Sequence, residues 1–130
     1  MENKYPKLFT DEQFSKLIEN GSDNSFEKDY PPVVKLFMTN TLCTWLISEL
    51  DPGYPEIAFG LCDLGMGFPE MGSVSIQKLL DAEDFWRCIK RDNFFEGNYP
   101  LSVYAYAARR DEAITENETA LKNAAKALKL

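Results

Sequence analysis

Four carboxylates stand where the chain turns or where an extended run ends: Glu49 and Asp51 after TWLIS, Asp63 after FGLC, and Glu70 inside GMGFPEMG. Carboxylate oxygens are hard ligands. Four of them gathered at one edge of a sheet would bind Mg²⁺ or Mn²⁺ and activate a water for hydrolysis. That chemistry needs the two strand ends to share an edge, which adjacent antiparallel strands do not allow. Without convergence, the same acids cap turns and bond local backbone. Other routes to catalysis are few. Histidine is absent, which removes Ser-His and Cys-His nucleophile pairs, histidine general bases and His-containing zinc sites. Cys43, Cys62 and Cys88 are odd in number, widely spaced and without a CxxC pair. They read as buried free thiols of a reducing compartment.

The segment FGLCDLGMGFPEMGSVS surrounds two of these acids. It does not match a phosphate loop, because no Lys-Ser or Lys-Thr follows and the glycines do not fit GxGxxG opening a helix. Gly65, Gly67 and Gly72 instead predict a loop that takes positive φ or passes close to another segment, with Met66, Phe68 and Met71 tucked beneath it.

Around this segment the elements are legible. In LFTDEQFSKLIENG, Thr10 and Gln13 form a capping box, Phe9 and Phe14 a hydrophobic staple, and Gly21 a C-terminal stop. The polar SDNSFEKDYPP is a loop. VVKLFMT and CTWLISEL predict paired strands turning at Asn40, and EIAFGLC a half-buried third strand with Ile57, Phe59 and Leu61 on one face. Gly60 in that strand marks a bulge or a close backbone approach. SVS is a brief strand whose Ser75 caps the helix IQKLLDAED, and RCIKRDNFF is strand-like in part, with Lys90, Arg91 and Asp92 suiting a sheet edge. Pro100 opens the helix LSVYAYAARR, and the acidic-then-basic tail predicts a terminal helix. The expected architecture is α+β: a small antiparallel sheet of about four strands, packed by an N-terminal helix and one or two C-terminal helices. Residues 1–110 form the domain and 111–130 a helical extension.

Composition sets the class of partner. The chain has 130 residues, 45% of them apolar, enough to bury a core. Its net charge of −7 argues against direct binding to nucleic acid or anionic lipid, which require clustered Lys and Arg. No apolar run approaches the length that crosses a bilayer, and the start MENKYPK lacks a signal peptide's apolar middle, so a cytoplasmic protein is expected.

The blocks LFTDEQFSKLIENG, VVKLF, TWLISELDP, EIAFGLCDLGMGFPEMGSVS, KRDNFF and YPLSVYAYAAR resemble, in this order, domain of unknown function family 2958. These are small proteins of plasmids, conjugative elements and their bacterial hosts. The resemblance spans about Leu8 to Arg109 and implies a mobile-element accessory protein; it supplies no activity, cofactor or catalytic residue. Three readings follow. The first is a non-enzymatic interaction domain that occupies a protein partner, such as a host defence or DNA-processing protein, through Trp45, Glu49, Asp51, Asp63, Phe68 and Glu70. The second is a metal-dependent hydrolase built on Glu49, Asp51, Asp63 and Glu70. The third is a structural component of a conjugation assembly that docks by its terminal helix. The first reading carries no catalytic residue and no cofactor.

Overall fold

The computed structural model describes residues 1–130. Thr10 starts the first helix, α1 (Asp11–Ser22), in the manner its sequence predicts. Its hydroxyl accepts from the Gln13 amide at 3.0 Å, and the Gln13 side chain accepts from the Thr10 amide at 2.9 Å. A cap of this kind contributes about 1 kcal/mol. Gly21 is not the stop: it lies inside α1, and the chain leaves the helix at Asp23 with extended φ and ψ. Its small size serves packing, because a Cβ there would stand 1.9 Å from the Leu50 carbonyl oxygen.

Five strands follow the expected α+β plan: β1 (Val34–Met38), β2 (Thr44–Leu50), β3 (Ile57–Asp63), β4 (Glu70–Ser75) and β5 (Ile89–Arg91). All neighbours are antiparallel, in the order β4-β3-β2-β1-β5. β1 and β2 turn through Asn40, whose φ of 58° is the left-handed conformation that asparagine tolerates. β4 is longer than SVS alone, starting at Glu70, whereas RCIKRDNFF supplies only the three residues of β5. Between the pairs Ile47↔Gly60 and Glu49↔Phe59 the register shifts, leaving Ser48 as the extra residue of a bulge. Gly60 sits against that bulge, where a Cβ would meet the Leu46 carbonyl oxygen at 1.9 Å.

Helices cover both faces of the sheet. On one face α1 and the short α2 (Ile76–Asp81), capped by Ser75, pack with Val34, Leu36, Trp45, Ile47 and Ala58. On the other, α3 (Leu101–Asp111) and α4 (Glu118–Ala127) pack on Leu46 and Leu61. Two-sided cover overturns the half-buried reading of β3: Ala58, Gly60 and Leu61 are all buried, while Ile57 and Phe59 are only half-buried. α4 contributes Leu121 and Ala124 to the same apolar cluster as α3, and Leu128, on the same sequence stripe, stays exposed. The cysteines are free, with Cys43 and Cys62 half-buried; Cys88 is exposed rather than in the core, because it precedes the edge strand. No helix is long and apolar enough to cross a membrane.

Candidate functional site

Antiparallel pairing decides where the four carboxylates go. β2 and β3 are neighbours running in opposite directions, so Glu49 and Asp51 lie at one end of the sheet, and Asp63 and Glu70 at the other. Glu49 faces Phe59, four residues before Asp63, a separation of about 13 Å along the strand. The tetrad therefore does not converge. Glu49 is held by the Lys28 ammonium at 2.7 Å, and the Asp51 carboxylate accepts from the Gly53 amide at 2.8 Å and the Tyr54 amide at 3.3 Å. Nowhere in the chain do three or more Cys, Asp or Glu side chains gather as a metal would require. Trp45 is 3% exposed and belongs to the core on the α1 face, so it offers no surface to a partner.

Asp63 is 4% exposed, and its buried charge is used internally. One carboxylate oxygen accepts from the Gly65 amide and the other from the Ile114 amide, both at 2.9 Å. This ties the β3–β4 loop to the segment between α3 and α4. Gly65, with φ of 77°, then turns the loop against the β1–β2 turn: a Cβ at that position would lie 2.6 Å from Leu42 Cβ. The loop is positioned by its backbone and by Asp63. Met66 and Phe68 are consequently free of the burial predicted for them and stand 71% and 78% exposed. Met71 is exposed as well.

A third loop completes this end of the sheet. Met38 pairs with Ile89, so the segment before β5 lies beside the β1–β2 turn. Asn40 and Thr39 donate side-chain hydrogen bonds to the Trp86 carbonyl at 2.6 and 3.4 Å. Asp84 accepts from the Trp86 and Arg87 amides at 2.9 Å, and the Arg87 guanidinium bonded to it holds its carboxyl below the ordinary range. Phe85 and Trp86 pack edge to face with centroids 5.0 Å apart, both outside the core. Three anchored loops thus present Leu42, Leu64, Met66, Phe68, Phe85 and Trp86 to solvent at one end of the sheet.

Two open clefts border these loops. One, of about 550 Å³, lies on the α3 side and is lined by Lys35, Phe37, Thr44, Asp63, Asp92 and Glu112. Its Lys35 is paired with Glu116 at 2.5 Å and Asp92 at 3.6 Å. The other, of about 680 Å³, runs between α3 and the start of β4, lined by Phe68, Pro69, Glu70, Met71, Arg109 and Glu112. Glu70 and Phe68 meet there, with Glu112 shared between the two clefts. Of the surface expected from sequence, the fold brings together Phe68 and Glu70, buries Trp45 and Asp63, and sends Glu49 and Asp51 to the far end. Leu42, Leu64, Met66, Phe85 and Trp86 were not expected there. Their signal in the sequence is that each is a large apolar residue inside a turn or loop, with no periodic partner to share a core.

The fold and these loops are those of a small α+β domain with an apolar, loop-built end. The family described as Protein of unknown function (DUF2958) matches residues 8–115, and the chain belongs to that family. The matched residues stop before α4. No curated protein matches the chain, and no solved structure does.

Proposed function

We propose that this protein is a non-enzymatic interaction domain whose apolar end occupies the surface of a protein partner. The observation that carries the reading is the exposure of six large apolar side chains on loops that are individually anchored. A patch of that kind, on a rigid frame, is the ordinary mark of a binding surface, and aromatic anchors such as Phe68, Phe85 and Trp86 supply most of the energy at such surfaces. Rigidity matters because loops already held by Asp63, Gly65 and Asp84 lose little conformational entropy on docking. The alternative of a carboxylate hydrolase needs acids that meet, and the four here are divided between the two ends of the sheet.

The resemblance to proteins of plasmids and conjugative elements supports an accessory role for such an element. The net charge of −7 favours a basic partner, and a protein that grips the phosphate backbone to process DNA has that character. Affinity capture from nuclease-treated lysate of the natural host tests this with two baits, the wild type and a Met66→Ser/Phe68→Ser double variant. A stoichiometric protein held by the first and lost by the second is the expected result, and its identity separates an inhibitor from an assembly component. Equal capture by both baits, or none by either, would sink the assignment.

A further inference from the structure

Leu42, Leu64, Met66, Phe68, Phe85 and Trp86 are between 57% and 87% exposed at the loop-built end. Together they offer roughly 700 Å² of apolar surface. The largest patch left open on a monomer is about 300–600 Å², and each side of a standard protein interface contributes about 800 Å². This end is therefore the size of one half of an interface, too large for a single side chain or a short peptide to cover.

Strand order sets these side chains in a row. The β1–β2 turn, with Leu42, lies in the middle. The β3–β4 loop, with Leu64, Met66 and Phe68, lies on one side of it, and the segment before β5, with Phe85 and Trp86, on the other. Gly65 packed against Leu42 and Asn40 bonded to the Trp86 carbonyl tie the row together. The row is also nearly free of charge. Residues 39–43 and 64–69 contain no charged side chain, and Arg87 beside Trp86 is paired with Asp84. The net charge of −7 therefore lies around the row and not in it. It steers a basic partner from a distance, but an identical row is neither repelled nor short of a match.

We infer that this end is covered by the same end of a second copy whenever no partner holds it, about a two-fold axis along the sheet normal. The inference rests on the reading of this end as a binding surface and adds its regulation: a partner must compete with the copy. An axis in that direction reverses the row. Met66 and Phe68 of each chain then face Phe85 and Trp86 of the other, with Leu42 and Leu64 nearest the axis, and a thioether against ring edges is a favourable contact. The other possible two-fold, along the width of the sheet, would set Glu70 against Glu70. No Lys or Arg of the chain pairs with Glu70, so that arrangement would oppose two uncompensated like charges. The first axis faces Glu70 with the side of the copy that carries Arg87. Interfaces of this size range from micromolar to far tighter, and one that must release to a partner belongs at the micromolar end. In the dilute solutions used for melting or dye binding, the chain is then single and its end open.

Sedimentation velocity over a dilution series reads the mass. Wild type is expected to pass from the single-chain 14.9 kDa when dilute to twice that when concentrated. Met66→Ser/Phe68→Ser, from one side of the row, and Phe85→Ser, from the other, are each expected to stay at the single-chain mass throughout. Tyr54→Ser, at the far end of the sheet, is expected to dimerise as wild type does. Cross-linking tests the axis and decides the matter if a serine variant folds poorly. In a Cys43→Ser/Cys88→Ser background, Phe68→Cys chains mixed with isotope-labelled Trp86→Cys chains are expected to form a mixed disulfide on mild oxidation, at least tenfold more than either variant forms alone. A wild type that stays single at every concentration, a dimer that survives either serine variant, or cross-linking no greater in the mixture would each overturn the inference. Partner capture is read separately: a single-chain wild type that still captures a protein overturns this inference and leaves the binding surface standing.

Discussion

Where β2 finishes, Glu49 is paired with Lys28 and Asp51 caps the turn amides of Gly53 and Tyr54; where β3 finishes, one buried acid, Asp63, holds a loop whose large side chains all point outward. Both ends are built from strand ends, turns and carboxylates, yet the first uses its polar groups to close itself and the second uses one of them to hold apolar groups open. Residue type near a turn is thus a poor guide to a site. What distinguishes the two ends is how much apolar surface the anchored segments offer: Tyr54 in the Asp51 turn and Phe26 beside Lys28 at the first, six large apolar side chains at the second.

The contrast is broken most severely at Asp63. Asp63→Ala leaves the Gly65 and Ile114 amides without their acceptor, at a cost of roughly 3 kcal/mol and a melting temperature lower by about 10 °C. Calorimetry checks the stability, and amide exchange at Gly65 and Ile114 shows whether the loss is local. Asp63→Asn, which keeps one carbonyl acceptor, is expected to fall between the two.

At the other end Glu49→Gln is expected to cost only about 1 kcal/mol or less, because the Lys28–Glu49 pair is partly exposed and solvent screens it. Urea titrations at low and high salt should show the wild-type advantage shrinking as salt rises. An effect as large as that of Asp63→Ala would erase the distinction between the ends.

Met66→Ser/Phe68→Ser is expected to change stability by no more than about 0.5 kcal/mol, since neither side chain is in the core. It should also reduce binding of a hydrophobic dye. A large loss of stability would mean that the apolar end belongs to the core after all.

Acid titration gives the smallest effect and compares one acid from each end. The Tyr30 hydroxyl donates to Asp23, which lies beyond α1 near Lys28, and this bond lowers the Asp23 pKa to about 2. Asp84, at the apolar end, is lowered chiefly by its bond from Arg87. Each folded pKa lies below its unfolded value, so each contributes stability present above about pH 4, declining as pH falls. For Asp23 the loss is complete only below about pH 2. Asp23→Asn should flatten the acid limb of a stability curve between about pH 4 and pH 2, Asp84→Asn should flatten it as pH falls below about 4, and both should leave the slope at neutral pH unchanged.

The sequence by itself determined the local features: the Thr10–Gln13 cap, the turn at Asn40, the Ser75 cap, the helix after Pro100 and the tight approach at Gly60. Each rests on contacts among residues near in sequence, or on a backbone demand that one residue type meets. The family, too, was legible in separated blocks spread along the chain. Tertiary structure alone decided the rest. Glu49, Asp51, Asp63 and Glu70 have the same chemistry whether they converge or not, and only the antiparallel adjacency of β2 and β3 separates them. Trp45 alternates as a surface or a core residue equally well until α1 covers its face. Met66 and Phe68 look like core residues in composition, and are exposed because Asp63 and Gly65 hold their loop without help from burial. Apolar residues in a loop carry no periodicity that says which way they face, and that direction is set by groups from distant parts of the chain.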